Sequence, residues 1–244
     1  MERIIRLHEC GVRVLAGRLY NHDYLWFSSN EISKLSATQP VIHNYALCYA
    51  LSHRSYGVCI GSIPKYIEDP DGEFGAMPLY ATPAYTEMVS RTTITFNALD
   101  ELTLTTGDSK TLNTPNLGKR VYLDPIWEQW DSEHPRRGYQ FYVFVFGNYR
   151  LPGVIRLGKK GASARIRWKE IPQPIALFRE EQQRPTHLLN PMDVNGKVIS
   201  FDPVIIPPHL LFRTTTIAED WWVFSEGHTI QVPKRILVRI GGNS

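Results

Sequence analysis

The chain has 244 residues, of which 43% are hydrophobic and 21% charged, and its formal net charge is +3, so it is long enough to bury a substantial core. No apolar run approaches the roughly 18 to 20 residues of a membrane helix, and the first residues lack the apolar region of a secretory signal. These features argue against a membrane-spanning or disordered chain, and we expect a soluble, cytoplasmic protein without a membrane partner.

Near the N-terminus, residues 4–15 predict a half-buried first strand, because apolar side chains such as Val12 and Val14 recur at every second position. Residues 28–31, Ser-Ser-Asn-Glu, then offer helix-capping side chains. They predict a short helix that ends before Pro40.

Residues 41–52 predict the most convincing helix of the chain, which we expect to pack against a sheet. One stripe of this helix carries Ile42, Ala46, Tyr49 and Ala50. A β-like segment at residues 56–63 and an acidic, turn-rich loop at residues 68–73 follow.

Residues 79–123 predict a protruding β ribbon rather than a core element. Two threonine-rich segments, 92–96 and 102–106, alternate weakly and are surrounded by Asn, Gly, Asp and Pro, so neither face can bury much surface. The flank of this ribbon carries Lys110, Lys119 and Arg120.

Residues 141–146, Phe-Tyr-Val-Phe-Val-Phe, are apolar on both faces, which predicts a central strand that is covered above and below. Residues 154–157 and 164–169 predict two further strands, joined by residues 158–163. In the second of them, alternation places Ala164, Ile166 and Trp168 on one side and Arg165, Arg167 and Lys169 on the other.

The region after Pro172 is punctuated by prolines. Residues 229–240 predict a terminal strand, or a pair of strands, at a sheet edge, since Pro233 interrupts the segment. Trp221 and Trp222 are neighbours that point to opposite faces of a strand, which leaves one of them exposed and hints at an interface.

The basic residues of the chain are concentrated between positions 134 and 169. This stretch of 36 residues has nine Lys or Arg and no Asp or Glu, whereas the other 208 residues carry 18 basic and 24 acidic side chains. Basic residues interleaved with aromatics are typical of a surface that binds a polyanion, most often nucleic acid. A solvated face that keeps the protein soluble is the alternative.

The sharpest local motif in this stretch is Gly158-Lys159-Lys160-Gly161. Glycines at both ends allow a tight turn with exposed amides, and the lysines add charge for phosphate. The motif is neither a Walker loop nor a dinucleotide-binding fingerprint. Together with the basic face of the following strand, it favours binding of a phosphate backbone over a simple lysine-tipped hairpin.

No motif in the sequence has the residue spacing of a known catalytic or metal-binding site. The three cysteines lack CxxC spacing, and no Gly-x-Ser-x-Gly elbow is present, so we expect no metal, no cofactor and no catalytic residue. A metal-independent ribonuclease needs only a base, an acid and a cation. Such a ribonuclease stays an alternative, because Tyr20 with His22, or His43 with Tyr45, could supply the base and the acid.

Five short segments carry a resemblance to a known family, at 27–33, 42–51, 95–98, 155–161 and 190–194. In this order along the chain they resemble the Cas-five group subunit of the type I-D CRISPR effector complex, called Csc-one, a member of the RAMP superfamily. The resemblance implies an α+β fold, a ferredoxin- or RRM-like RAMP domain with a glycine-rich loop and a protruding β-hairpin thumb.

The resemblance also implies one domain over residues 1–244, in which 79–123 is the thumb and 172–244 a proline-rich extension. The implied role is a non-catalytic subunit that caps the 5′ handle of the CRISPR RNA (crRNA) and helps to position target DNA near the PAM. Its implied partners are the backbone subunit, met through the thumb, and the large subunit. A relative in another subtype processes RNA, so an endoribonuclease of repeat RNA is the alternative.

The RNA-binding residues expected from the motifs and the resemblance together are Asn44, Tyr45, Arg156, Gly158, Lys159, Lys160, Gly161, Arg165, Arg167 and Lys169. The residues expected to meet a partner through the thumb are Lys110, Lys119 and Arg120.

Overall fold

The computed structural model describes residues 3–32, 35–52, 70–97, 117–127 and 138–241. Its strands are β1 (Ile4–Arg6), β2 (Val12–Asn21), β3 (Asn30–Ile32), β4 (Leu35–Ala37), β5 (Val41–Ile42), β6 (Leu79–Ala81), β7 (Ala84–Tyr85), β8 (Arg91–Asn97), β9 (Leu117–Leu123), β10 (Tyr139–Phe146), β11 (Val154–Leu157), β12 (Ala162–Ile171), β13 (Ile175–Arg179), β14 (Lys197–Val204), β15 (Leu211–Ala218), β16 (Asp220–Ser225) and β17 (His228–Gln231). Its helices are α1 (Asn44–Ser52), α2 (Pro70–Gly75) and α3 (Lys234–Arg239), with a 3-10 turn at Pro191–Asp193.

The largest sheet has seven strands, and its main path is β11-β12-β2-β10-β7-β5, with β6 also paired to β10. Strand β10 pairs along its full length with β2 on one side, and it pairs with β6 and β7 on the other. Its residues from Phe141 to Val145 are buried, because both faces of the strand are covered. The prediction of a central strand here is confirmed.

Helix α1 packs against this sheet, as predicted. It contacts β6 on one side and β11 on the other, so the sheet curls around the helix. The completely buried side chains are Asn44, Leu47, Cys48 and Leu51. Of the predicted stripe, Tyr49 is buried, whereas Ala46 and Ala50 are only half buried. A helix that contacts both margins of a curled sheet is apolar nearly all round, so its periodicity is a weak guide to its buried face.

Two predictions near the N-terminus are wrong. The first strand is in fact two strands, since residues 7–11 form a turn with Gly11 at φ 72°, and β1 joins a different sheet from β2. The helix expected after residues 28–31 is replaced by strands β3 and β4. Strand β4 pairs in parallel with β9, so a distant partner overrides the local capping pattern.

The ribbon begins later in the chain than predicted, at β8 rather than at residue 79. Strands β6 and β7 belong to the central sheet, and the antiparallel pair of β8 and β9 forms the ribbon itself, with Arg91 opposite Leu123. The threonine-rich strand 92–96 is confirmed, and its residues 93–95 are exposed. Lys110 and the segment 102–106 lie outside the described residues, as does the β-like segment 56–63.

The C-terminal region forms a second sheet, β1-β13-β16-β17, and a hairpin of β14 and β15. The predicted terminal strand at 229–240 is only half right, because β17 ends at Gln231 and Pro233 is the N-cap of helix α3. A proline at a helix start loses no intrahelical hydrogen bond. Among the described residues, no helix is long and apolar enough to cross a membrane.

The interface inferred from the tryptophan pair is also wrong, because Trp221 and Trp222 are both buried, with 5% and 0% of their surface exposed. Trp221 contributes to the main core and packs edge-on against Phe178. Trp222 packs on the opposite side with Leu189 and Ile217. Strand β16 is covered on both faces, so neither indole is left for a partner.

Candidate nucleic-acid interface

Strands β11 and β12 are joined by the Gly-Lys-Lys-Gly turn, as the sequence predicted. Gly158 and Gly161 have φ values of 73° and 65°, a region that L-residues other than glycine rarely adopt. The turn docks on the chain through Lys159, whose amide donates to the carbonyl of Trp26 at 3.0 Å. A Cβ at position 158 would lie 2.7 Å from that carbonyl oxygen, so only glycine fits there.

A groove of about 570 Å³ opens beside this turn. Helix α1 forms one wall, and residues 206–208 form another. Its lining consists of Phe27, Ser28, Ser29, Val41, His43, Tyr45, Ala46, Tyr49, Ala50, Arg156, Leu157, Gly158, Lys159, Gly161, Ile206, Pro207 and Pro208. We call it the glycine-turn groove. Its interior is apolar and aromatic, and its cations lie at the turn.

The positive charges at the turn are held by specific contacts. The guanidinium of Arg156 donates to the carbonyl of Gly161 at 3.0 Å, which closes the turn. Lys159 Nζ lies 5.2 Å from the centre of the Trp26 ring, and the guanidinium carbon of Arg120 lies 4.3 Å from it. Such cation–π contacts stabilise a cation beside an indole. Arg120, expected at a thumb contact, is thereby brought next to the glycine turn.

An aromatic cluster contributes two of the residues that line the groove, His43 and Tyr45. The His43 ring centre is 4.7 Å from that of Tyr45 and 4.8 Å from that of His209. Burial, reinforced by the neighbouring His209, lowers the pKa of His43 to about 3. The Nδ1 of His43 accepts from the Tyr45 amide at 3.3 Å. His43 is therefore uncharged at neutral pH and contributes shape and apolar surface rather than charge.

Asn44 is not part of the groove, although it was expected to bind RNA. Its side chain is completely buried, donates to the Tyr80 hydroxyl at 2.8 Å and accepts from the Asn190 amide at 3.2 Å. Asn44 thus connects helix α1 to the core. Tyr45, in contrast, lines the groove.

The three basic residues of β12 do not line the glycine-turn groove. Arg165, Arg167 and Lys169 are exposed at alternate positions, as predicted. Arg167 and Lys169 line a separate depression of about 490 Å³ together with Arg18, which lies directly opposite Arg167 on β2. At about 3.3 Å per residue, Lys169 is roughly 26 Å along the strand from Gly161. Arg156 pairs with Ser163, which shares the exposed face of β12 with these residues, so the basic residues extend from the turn along one face of the sheet.

Of the two residue pairs considered for chemistry, His43 and Tyr45 line the groove, whereas Tyr20 and His22 do not. His22 stacks on Trp127 with ring centres 5.2 Å apart, and Tyr20 is buried. Burial raises the pKa of the Cys48 thiol to about 12, so it is not a thiolate. Within the described ranges, no group of three or more His, Cys, Asp or Glu is arranged around a possible metal position. Cys59 lies outside the described residues.

The fold and the groove define an α+β protein with a curled, mostly antiparallel sheet and a lysine-bearing glycine turn beside an aromatic groove. The chain belongs to the family described as type I-D CRISPR-associated protein Cas5/Csc1, whose model matches residues 12–240. This confirms the resemblance found in the sequence and identifies a protein of type I-D CRISPR systems.

One solved structure similar to this chain is a chain of "Cryo-EM structure of the Type III-B Cmr-beta bound to cognate target RNA and AMPPnP, state 1". The similarity has a TM-score of 0.42 and 11% sequence identity, and it covers 94% of this chain and 89% of that chain. No curated protein sequence matches this chain significantly.

Proposed function

We propose that this protein is a non-catalytic subunit of a type I-D CRISPR effector complex, and that its glycine-turn groove binds and caps the 5′ handle of the crRNA. The observation that carries the proposal is the turn itself, in which two glycines at positive φ hold Lys159 beside Arg156 at the mouth of an aromatic groove. Single-stranded RNA is bound by this combination, because phosphates meet the cations while bases stack on aromatic side chains.

The proposal extends to the neighbours of the subunit. The ribbon of β8 and β9 contacts the backbone subunit through Lys119 and Arg120, and Lys110 takes part in the same contact. The large subunit lies nearby. The outer face of β12 adds positive potential that helps to position target DNA near the PAM. We also regard the curled sheet with helix α1 as a divergent ferredoxin- or RRM-like RAMP core, working in the cytoplasm where crRNA is made.

The rival function, a metal-independent endoribonuclease of repeat RNA, is favoured by one observation. His43 and Tyr45 lie in the same groove as Lys159 and Arg156, which supplies the residue types that such an enzyme uses. Two features oppose it. Burial lowers the pKa of His43 and raises the pKa of Tyr45, so neither group exchanges a proton readily near neutral pH. Incubation with repeat RNA in EDTA distinguishes the two functions, because only the nuclease cleaves the RNA there. Replacement of His43 should abolish that cleavage.

The binding proposal is tested by the salt dependence of RNA affinity. If about six phosphates are neutralised, log K falls against log salt with a slope of roughly −4 for single-stranded RNA. The double variant Lys159→Ala/Lys160→Ala removes two cations of the turn, and we expect a weaker affinity and a slope shallower by about 1.4. Fluorescence anisotropy with a labelled RNA carrying the 5′ handle of the host repeat measures both quantities.

A matched control is the double variant Lys197→Ala/Lys234→Ala, which loses the same charge from two exposed lysines away from the groove. We expect its slope to stay close to that of the wild type. Equal slopes for all three proteins would remove the glycine turn from the RNA-binding site.

A further inference from the structure

A second pocket lies at the base of the β8–β9 ribbon and is unlike the glycine-turn groove in chemistry. It has a volume of about 410 Å³ and is lined by Tyr24, Glu87, Met88, Val89, Ser90, Asp124, Pro125, Ile126 and Trp127. We call it the ribbon-base pocket. Its walls come from three separate segments, so it exists only in the folded protein.

Large apolar side chains are exposed together in this pocket. Tyr24, Met88 and Trp127 have 43%, 39% and 41% of their surface exposed. Single exposed apolar residues are common on protein surfaces, but several around one depression mark a site where another molecule docks.

Hydrogen bonds between the segments hold the pocket in shape. The buried side-chain amide of Asn21 donates to the carbonyls of Asp23 at 2.8 Å and Asp124 at 3.1 Å. The Asp124 amide in turn donates to the carbonyl of Ser90 at 3.0 Å. These bonds join all three segments, so a ligand finds the pocket preformed and binding costs little ordering.

The aromatic side chains of the pocket are fixed in orientation. Trp127 stacks on His22 with an angle of 17° between the rings, and Tyr24 meets Tyr122 edge-on with ring centres 6.2 Å apart. A half-exposed indole in a fixed plane is the best side chain for a cation–π contact.

The charge of the pocket is negative, although the chain as a whole is positive. Asp124 and Glu87 line it, and Asp23 is adjacent to Tyr24. The Oδ1 atom of Asp124 is buried and accepts no hydrogen bond within the described part of the chain. The charge of this carboxylate is therefore not offset at that atom, and a cation docked in the pocket would lower its electrostatic cost. Phosphates would be repelled here, so nucleic acid does not fit this pocket.

We propose that the ribbon-base pocket receives an arginine side chain, flanked by apolar residues, from a protein partner. The guanidinium fits both features at once, because its plane stacks on an indole while its N–H groups donate to carboxylates. Flanking apolar residues of the same partner segment cover Met88 and Tyr24. This inference concerns a protein contact, and it stands or falls independently of RNA binding in the glycine-turn groove.

The proposal is tested by site-specific photo-cross-linking in the effector complex purified from the native host. A photoreactive residue replaces Met88 at the pocket wall, and mass spectrometry identifies the cross-linked peptide. We expect a peptide of another protein chain that contains an arginine next to apolar residues. Cross-links to RNA, to a second copy of this chain or to a peptide without arginine would overturn the proposal, as would the absence of any cross-link.

Variants of the pocket supply the second measurement. Asp124→Asn keeps the shape of the side chain and removes its charge, and we expect the affinity of this subunit for the rest of the complex to fall by about tenfold or more. Trp127→Ala should weaken assembly too, while Phe224→Ala, with a similar 42% exposure elsewhere, should not. RNA binding by the isolated Asp124→Asn protein should be unchanged. Normal assembly of both pocket variants would contradict the proposal.

Discussion

Arg235 of helix α3 places its Nε atom 3.1 Å from Oδ1 of Asp193, and the two side chains are only 13% and 5% exposed. The other carboxylate oxygen of Asp193 accepts a hydrogen bond from the hydroxyl of Tyr80 in β6. Asn44 of helix α1 donates to that same hydroxyl. The buried ion pair therefore joins the C-terminal helix, the central sheet and the wall of the glycine-turn groove.

Breaking this pair should destabilise the fold strongly. Asp193→Asn leaves the buried guanidinium of Arg235 without its counter-charge, and we expect a loss of about 3–5 kcal/mol in the free energy of unfolding. The double variant Asp193→Asn/Arg235→Met should lose less than the sum of the two single variants, because no charge remains unpaired. Urea denaturation of the four proteins measures the coupling, and strict additivity would show that the pair contributes no interaction of its own.

Alanine substitutions at two glycines of different turns separate the cost of backbone strain from that of a steric contact. Gly11 and Gly158 have nearly the same φ, 72° and 73°, but only at Gly158 would a Cβ meet a backbone oxygen. Gly11→Ala should therefore cost about 1–2 kcal/mol from backbone strain alone. Gly158→Ala should cost clearly more, and it should also weaken RNA binding because the turn must leave Trp26. Thermal denaturation and anisotropy test both statements, and equal costs at the two positions would contradict them.

Acid should destabilise the protein through its buried histidines. Burial lowers the pKa of His187 to about 4, and its Nε2 accepts from the Gln231 amide at 3.2 Å. In the unfolded chain this histidine is protonated below about pH 6.5, whereas in the folded protein it stays neutral down to about pH 4. Its contribution to the free energy of unfolding is therefore fully present above about pH 6.5 and is lost as the pH falls toward 4. Each such histidine contributes a slope of about 1.4 kcal/mol per pH unit in this window.

His187→Gln removes one of these titrations. Urea denaturation at pH 7, 6 and 5 should show a shallower decline for the variant than for the wild type, by about the slope of a single histidine. His43 shifts in the same direction, to about 3, and stays in both proteins. Parallel declines would mean that His187 is not buried as a neutral ring.

The glycine turn and the strands beside it could be predicted because their signals are local. Alternation fixed the exposed positions of Arg165, Arg167 and Lys169, and the glycines marked the turn between the strands. The apolar run of β10 likewise indicated a central strand without any knowledge of its partners. Such patterns depend only on residues that are adjacent in the chain.

The groove as a whole could not be predicted, because it depends on contacts between distant segments. Arg120 reaches the turn through the Trp26 ring, and strand β4 replaces a predicted helix because β9 is there to pair with it. Asn44 carried a family motif, yet its partners Tyr80 and Asn190 place it in the core. Sequence alone also could not show that Arg18 joins this basic face, since that depends on the pairing of β2 with β12.

Binding of the crRNA 5′ handle at the glycine turn is tested by sequencing the RNA that copurifies with the tagged protein from its native host. We expect CRISPR RNAs that share one uniform 5′ end, retained by Lys197→Ala/Lys234→Ala and lost from Lys159→Ala/Lys160→Ala. Heterogeneous RNA, or no RNA, with the wild-type protein would contradict it.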